Sequence, residues 1–210
     1  MFQQLILILD WFGICVFAVT GALVASRKEM DIVGFALLGS VTGIGGGTVR
    51  DVLLGVEPVF WVRQPAYLVT CVAVSSVMFF LAHIPQSRER LLLWFDAAGL
   101  ALFSVTGTVS ALTAGAGPVI AVAMGVATAT FGGIIRDILG GESPVILKQQ
   151  IYITAALLGA AVFVVLHWLG LPADPSAGLA FLSAFSLRAA ALHWNLSLPR
   201  YRARGKQAGD

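Results

Sequence analysis

Two short motifs hold the residues of this chain whose types and spacing could do chemistry. The first is Gly43-Ile44-Gly45-Gly46-Gly47-Thr48-Val49-Arg50-Asp51, the second Ala129-Thr130-Phe131-Gly132-Gly133-Ile134-Ile135-Arg136-Asp137. A guanidinium beside a carboxylate can set the field that a passing ion meets. Adjacent glycines each cost about 1 kcal/mol against alanine in a helix interior, and a helix broken there turns carbonyls toward a polar path. Two other readings stay open. Gly39, Gly43 and Gly47, like Gly125, Ala129 and Gly133, stand four residues apart and make small-residue faces for close helix packing. The Arg-Asp pairs would also serve as an ion-pair network that locks the molecule. The sign of a permeant ion stays open as well, because half-helix carbonyls favour cations, half-helix amides favour anions, and the Arg and Asp charges cancel.

The rest of the chain narrows these options. Of 210 residues, 58% are hydrophobic and 11% charged, with a mean hydropathy of +0.90. A soluble domain carries roughly 25% charged residues, so a soluble enzyme, a disordered chain, a coiled coil and a disulfide scaffold are excluded. A net charge of +2 gives no reason to expect a nucleic-acid partner. Cys15 and Cys71 lie inside apolar runs as small hydrophobes, and His83, His167 and His193 sit near span ends without forming a ligand cluster. Neither a metal nor a cofactor is expected. The Gly-Gly-x-Val-Arg-Asp stretch resembles a signature of tRNA nucleotidyltransferases, but those enzymes need a soluble fold and a downstream Asp-x-Asp, which this chain lacks. Gly43-x-Gly45-x-x-Thr48 has no strand-turn-helix context for a dinucleotide. The reading is a polytopic helical membrane protein that is not an enzyme.

Seven apolar segments can position the motifs: Gln4–Ala25, Asp31–Gly55, Pro65–His83, Leu91–Leu112, Pro118–Gly140, Lys148–Leu169 and Pro175–Trp194. Each approaches the roughly 20 apolar residues that cross a bilayer, and the connections carry Pro58, Pro85, Pro144 and Pro172. The N-terminal run has no Lys or Arg before it and continues past Asp10, so it reads as a retained span rather than a signal peptide. Trp11, Trp61, Trp94, Trp168 and Trp194 fall at or near span ends, as an aromatic belt requires. Arg27, Lys28, Arg88, Arg90, Lys148, Arg200, Arg202, Arg204 and Lys206 fall on one side and only Arg63 on the other. The positive-inside rule then puts the N-terminus outside and the C-terminus in the cytoplasm, with Arg188 snorkelling to the inner interface.

A shift of 86 residues superposes Asp10 on Asp96, Phe17 on Phe103, Thr20-Gly21 on Thr106-Gly107, Thr42 on Thr128, Gly46-Gly47 on Gly132-Gly133, Arg50-Asp51 on Arg136-Asp137, Pro58-Val59 on Pro144-Val145 and Gln64 on Gln150. Each copy holds three spans. An odd number inverts the second copy, and inverted repeats place a pathway near the midplane at interrupted helices. The expected fold is all-α: seven transmembrane helices, two inverted three-helix repeats (4–84 and 91–169) plus a seventh helix (175–194), kinked second and fifth helices, and a basic tail (195–210), all in one membrane domain of residues 1–210.

These features together resemble the prokaryotic trimeric intracellular cation (TRIC) channels, a family also known as glycine-transporter-like. The resemblance runs from Asp10 to about Trp194. It implies a homotrimer in the lipid of a bacterial inner membrane, with one pore per protomer passing monovalent cations such as K⁺. The pathway residues would be Gly45, Gly46, Gly47, Thr48, Arg50, Asp51, Gly132, Gly133, Arg136 and Asp137. The Lys-Glu-Val motif of eukaryotic members is absent, and so is any lipid regulation attached to it. The alternative function is a secondary transporter of a small zwitterion such as glycine.

The loop charges yield a topological expectation. A reporter fused after Asp210 should read cytoplasmic, and a cysteine placed at Ala116 should label from outside. Labelling of both from one side would overturn the seven-span reading.

Overall fold

Backbone amides and carbonyls inside a bilayer must be satisfied within the protein, so long apolar runs become helices. The computed structural model describes residues 2–83, 87–145 and 151–198, and within them the chain is all-helical. Eight helices are present there: α1 (Phe2–Arg27), α2 (Ile32–Leu54), α3 (Phe60–Arg63), α4 (Ala66–Leu81), α5 (Arg88–Thr113), α6 (Pro118–Leu139), α7 (Ile153–Trp168) and α8 (Ala173–Trp194). All but α3 fall on the expected segments. The single turn of α3 lies in what reads from sequence as a plain connection. Five helices, α1, α2, α5, α6 and α8, are long and apolar enough to cross a membrane. The apolar helices α4 and α7 have 16 residues each, about 24 Å of helix against a hydrocarbon core of about 30 Å. The expected sixth segment starts at Lys148, and residues 146–150 lie outside the described residues, as do 84–86 with Pro85 and the tail 199–210 with Arg200, Arg202, Arg204 and Lys206.

The helix carrying each motif is stopped by the same device. Gly55 and Gly141 adopt left-handed φ values of 66° and 65°, which cost glycine nothing. Beyond them Val56 N donates to Asp51 O at 2.9 Å, and Glu142 N to Asp137 O at 2.8 Å. At the other end of α2 the Asp31 carboxylate accepts from Gly34 N at 2.8 Å and caps the helix.

The core is built by α1, α2, α5 and α6. Phe17 and Phe103 meet edge to face with centroids 5.0 Å apart. A methyl group on Gly13 would strike Phe103, and one on Gly99 would strike Phe17. The motif helices cross in opposite directions: Gly46 sits against the Thr128 carbonyl and Gly132 against the Thr42 carbonyl, so close that a Cβ at either position has no room. Outside this core α4 packs on α2 and α1, α7 on α6 and α5, and α8 on α7 and α5.

The expected interruption of the motif helices is not what the backbone does. Both α2 and α6 stay α-helical through their glycines, so no carbonyls are released there by a break in the ladder. The physical reason is the crossing itself. Gly46 and Gly132 supply the missing Cβ that lets two backbones meet, and a regular helix presents that flat surface. Thr42, Thr48, Thr128 and Thr130 bond back to the carbonyls of Leu38, Ile44, Met124 and Val126 at 2.6–2.8 Å, a pattern that bends helices without opening them.

Alanine substitution separates packing positions from open ones. Gly46→Ala and Gly132→Ala force overpacking, which costs about 1–3 kcal/mol, and should lower the thermal midpoint in detergent. Gly45→Ala, whose Cβ would find Ile135 at an ordinary 3.4 Å, should leave it unchanged. Equal midpoints for all three would refute the close crossing.

Candidate functional site

Arg50 and Arg136 each lie one turn beyond a crossing glycine, so the antiparallel crossing puts them on opposite sides of it. Around Arg50, the guanidinium folds onto the neighbouring carboxylate, with Nε and Nη2 donating to Asp51 Oδ1 at 2.9 and 2.7 Å. Asp51 Oδ2 accepts from Phe60 N at the start of α3 at 2.8 Å, and the Arg50 guanidinium stands 5.7 Å from the Phe60 ring centroid. Gly47 makes room for that ring, since a Cβ there would meet Phe60 at 2.6 Å. Trp61 Nε1 donates to Thr48 Oγ1 at 2.9 Å. Tyr67 stacks on Trp11 with centroids 4.2 Å apart and, with Thr106, faces the Asp10 carboxylate.

Arg136 repeats the neighbour bond and reaches further. Nε donates to Asp137 Oδ1 at 2.9 Å, while Nη1 donates to Asp96 Oδ1 at 2.8 Å and to Thr20 Oγ1 at 3.0 Å. Asp137 Oδ2 accepts from Val145 N at 3.0 Å. Gly133 leaves the space in which Tyr152, Asp96 and Arg136 converge. Arg188 of α8 stands 5.0 Å from the Tyr152 ring centroid, and its Nη1 donates to Ile151 O at 3.2 Å.

The two sides differ in access. A cavity of about 570 Å³ opens onto Arg50 and Asp51, between the start of α1, the end of α2, α3 and the end of α5. Phe2, Gln3, Ile6, Phe60, Arg63, Val109, Ser110 and Thr113 form its walls. Arg136, Arg188 and Asp96 are fully buried. A second cavity of about 560 Å³, between the start of α5 and the end of α8, touches none of them. On the face away from the first cavity, Arg27 pairs with Glu142 at 2.9 Å and Arg88 donates to Ser26 O at 3.2 Å, so the ends of α1 and α6 and the start of α5 share one basic face.

The structure gathers the residues singled out from sequence into two clusters, with Thr48, Arg50 and Asp51 in one and Gly133, Arg136 and Asp137 in the other. Gly46 and Gly132 lie between them at the crossing, Gly47 packs under Phe60, and Gly45 is half-buried beside Ile135. Sequence reading places Arg188 at the interface, but it is buried against Tyr152 because α8 packs on α7. It assigns Trp11 and Trp61 to the aromatic belt, but they line the Arg50 cluster; Trp168 and Trp194, 82% and 67% exposed, fit the belt. Tyr67 and Tyr152 go unnoticed at an offset of 86 because they correspond at 85, as do Phe60 and Val145, whose amides hold Asp51 and Asp137. Allowing one deletion in the loop would have aligned them. Among the described residues no group of His, Cys, Asp and Glu could hold a metal ion.

Buried charge pairs on crossed apolar helices, reached by a polar-lined cavity, define an integral membrane protein of the channel and transporter class. A family model described as "Glycine transporter" matches residues 7–83 and 93–168. The chain is 40% identical to the "UPF0126 inner membrane protein YadS" of Escherichia coli K12, over 92% of this chain and 94% of that one. Among solved structures it is similar to the TRIC trimeric intracellular cation channel orthologue from Rhodobacter sphaeroides, with TM-score 0.91 and 66% identity over 92% of this chain and all of that one. A prokaryotic TRIC channel in 0.5 M KCl matches with TM-score 0.86 and 31% identity, covering 93% of this chain and 100% of the other. The chain belongs to the TRIC channel family, the same family that the glycine-transporter model and the UPF0126 name describe. These relatives are membrane proteins and channels, in keeping with the non-enzymatic reading.

The difference in burial has a consequence for stability. Asp96→Asn leaves Arg136 under-balanced where no cavity reaches it, and breaking such a buried pair costs about 3–5 kcal/mol. Asp51→Asn leaves Arg50 at a cavity wall that water can enter, so its thermal midpoint in detergent should fall by clearly less. Equal losses would mean that the cavity gives Arg50 no relief.

Proposed function

We propose that this chain is a passive monovalent-cation channel, with K⁺ as the permeant ion and one pathway in each protomer of a homotrimer. The observation that carries this reading is a cavity that opens onto an Arg-Asp pair buried among apolar helices. Charges at this depth face pathways or bundle interiors. The solved relatives are named as cation channels, and one as trimeric, which supports the same assignment here. The path runs between α2 and α6. Gly45, Gly46, Gly47, Gly132 and Gly133 shape it, Thr48 offers a hydroxyl, and Arg50, Asp51, Arg136 and Asp137 set its field. No cofactor takes part, and the protein's partners are its own copies and membrane lipid, with no nucleic acid.

The architecture that goes with this function is one membrane domain of seven spans. Two inverted three-helix repeats, 4–84 and 91–169, are bent rather than broken at α2 and α6, and are followed by a seventh span, 175–194, and a basic tail, 195–210. Recurring contacts at fixed offsets support the repeat: Gly46 and Gly132 at the crossing, Phe17 and Phe103 in the core, Arg50 and Arg136 on its two sides. The shared basic face of Arg27, Lys28 and Arg88 supports a cytoplasmic C-terminus in a bacterial inner membrane.

A second reading, transport of a small zwitterion such as glycine, is favoured by the adjacent guanidinium and carboxylate at the cavity wall and by the description of the matching family model. Both are tested in one preparation. Protein whose mass in mild detergent is that of three chains should, in liposomes, pass K⁺ without a second gradient and accumulate no labelled glycine. Gradient-driven glycine uptake without K⁺ flux would replace the channel with the transporter, and an active monomer would remove the homotrimer.

A further inference from the structure

The two charged clusters differ in one bond. On the buried side the Arg136 guanidinium bridges a carboxylate and a threonine hydroxyl, Asp96 at 2.8 Å and Thr20 at 3.0 Å. The residues at the same offset on the open side are Asp10 and Thr106, and Arg50 does not bridge them, because it folds onto Asp51 instead. Among the described residues Asp10 forms no ion pair. Thr106 Oγ1 is fully buried without a hydrogen-bond partner and faces the Asp10 carboxylate, as does Tyr67. The net charges differ accordingly. Asp96 and Asp137 are matched by Arg136 and Arg188, whereas Asp10 and Asp51 face Arg50 alone, which leaves the open side one negative charge in excess.

We infer that Asp10, Thr106 and Tyr67 form a monovalent-cation seat at the inner end of the cavity, and that Arg50 is its built-in competitor. The side chain of Arg136 demonstrates the chemistry, since at the twin position the protein supplies its own cation to a carboxylate and a threonine oxygen. One excess negative charge and neutral hydroxyl ligands suit a singly charged ion. A divalent ion would leave an excess positive charge at membrane depth and demands more oxygen ligands than this group offers. The route in is direct. Ile6 lies one turn before Asp10 on α1 and Ser110 one turn after Thr106 on α5, and both line the cavity. A swing of Arg50 into the pose that Arg136 holds would fill the seat and close this end.

This proposal deepens the channel reading and rests on it for its role in conduction, but binding is measured separately. The probe is K⁺ alone. The full chain in detergent is titrated with KCl against N-methyl-D-glucamine chloride at constant ionic strength, and thermal unfolding is followed. The wild-type midpoint should rise saturably with K⁺. Asp10→Asn should abolish the rise or move half-saturation at least tenfold upward, and Thr106→Val should weaken it several-fold. Thr106→Val carries the test if Asp10→Asn does not fold. No K⁺ response in the wild type, or unchanged half-saturation in the variants that fold, overturns the seat. K⁺ flux in liposomes with no effect of either variant on binding would remove the seat and keep the channel. A K⁺ response lost in the variants of a protein that passes no K⁺ would keep the seat and remove the channel.

Discussion

Everything in this fold depends on how closely α2 and α6 approach. Lipid tails are as apolar as leucine, so no hydrophobic force drives helices together inside a bilayer; contact must come from packing and polar bonds. The missing Cβ atoms of Gly46 and Gly132 let each backbone reach a carbonyl of the other helix, at Thr128 and Thr42. Helices crossing at that distance leave no room for large side chains at the centre. The arginines one turn beyond are therefore carried to opposite sides, into spaces walled by other helices, and the rest of the bundle is arranged to receive them.

Receiving a guanidinium at membrane depth means neutralising it and satisfying its donors. Both sides start with the adjacent Asp, whose second oxygen is held by a backbone amide just past the helix end. From there they diverge. Arg136 draws in Asp96 from α5 and Thr20 from α1, and Arg188 of α8 backs Tyr152 on the same side. No helix occupies the place of α8 beside Arg50, and there the cavity enters. A repeat that is regular in its backbone crossing is thus irregular in charge, and the irregularity follows from one helix that lies outside the repeat.

Much of the site is legible in the sequence because its parts are unusual in apolar surroundings. An Arg-Asp pair twice, double glycines twice and an Asp ahead of each stand out at a fixed offset, since apolar similarity between helices does not align charges. The aromatic partners are harder to read. Trp11, Trp61 and Tyr67 look like belt residues, because a tryptophan near a span end has the same sequence signature whether it turns toward lipid or inward. The shift from 86 to 85 after the motif helices hid Tyr152 as the partner of Tyr67. The glycines are ambiguous for a different reason. A glycine run serves a broken helix and a tight crossing equally well, and only the neighbouring backbone distinguishes them.

Local physics alone settled the helical class, the extent of each apolar run, the capping at Asp31 and the left-handed stops at Gly55 and Gly141. Each of these follows from residues within a few positions of one another, through hydropathy, hydrogen-bond satisfaction and backbone sterics. The unbroken course of α2 and α6, the burial of Arg188, the bridging of Asp96 but not Asp10, and the opening of a cavity on one side only belong to the tertiary structure. They turn on which side chains from distant helices arrive at the same point. A guanidinium with two carboxylates in reach chooses by geometry and local charge, and neither is written in the neighbouring sequence.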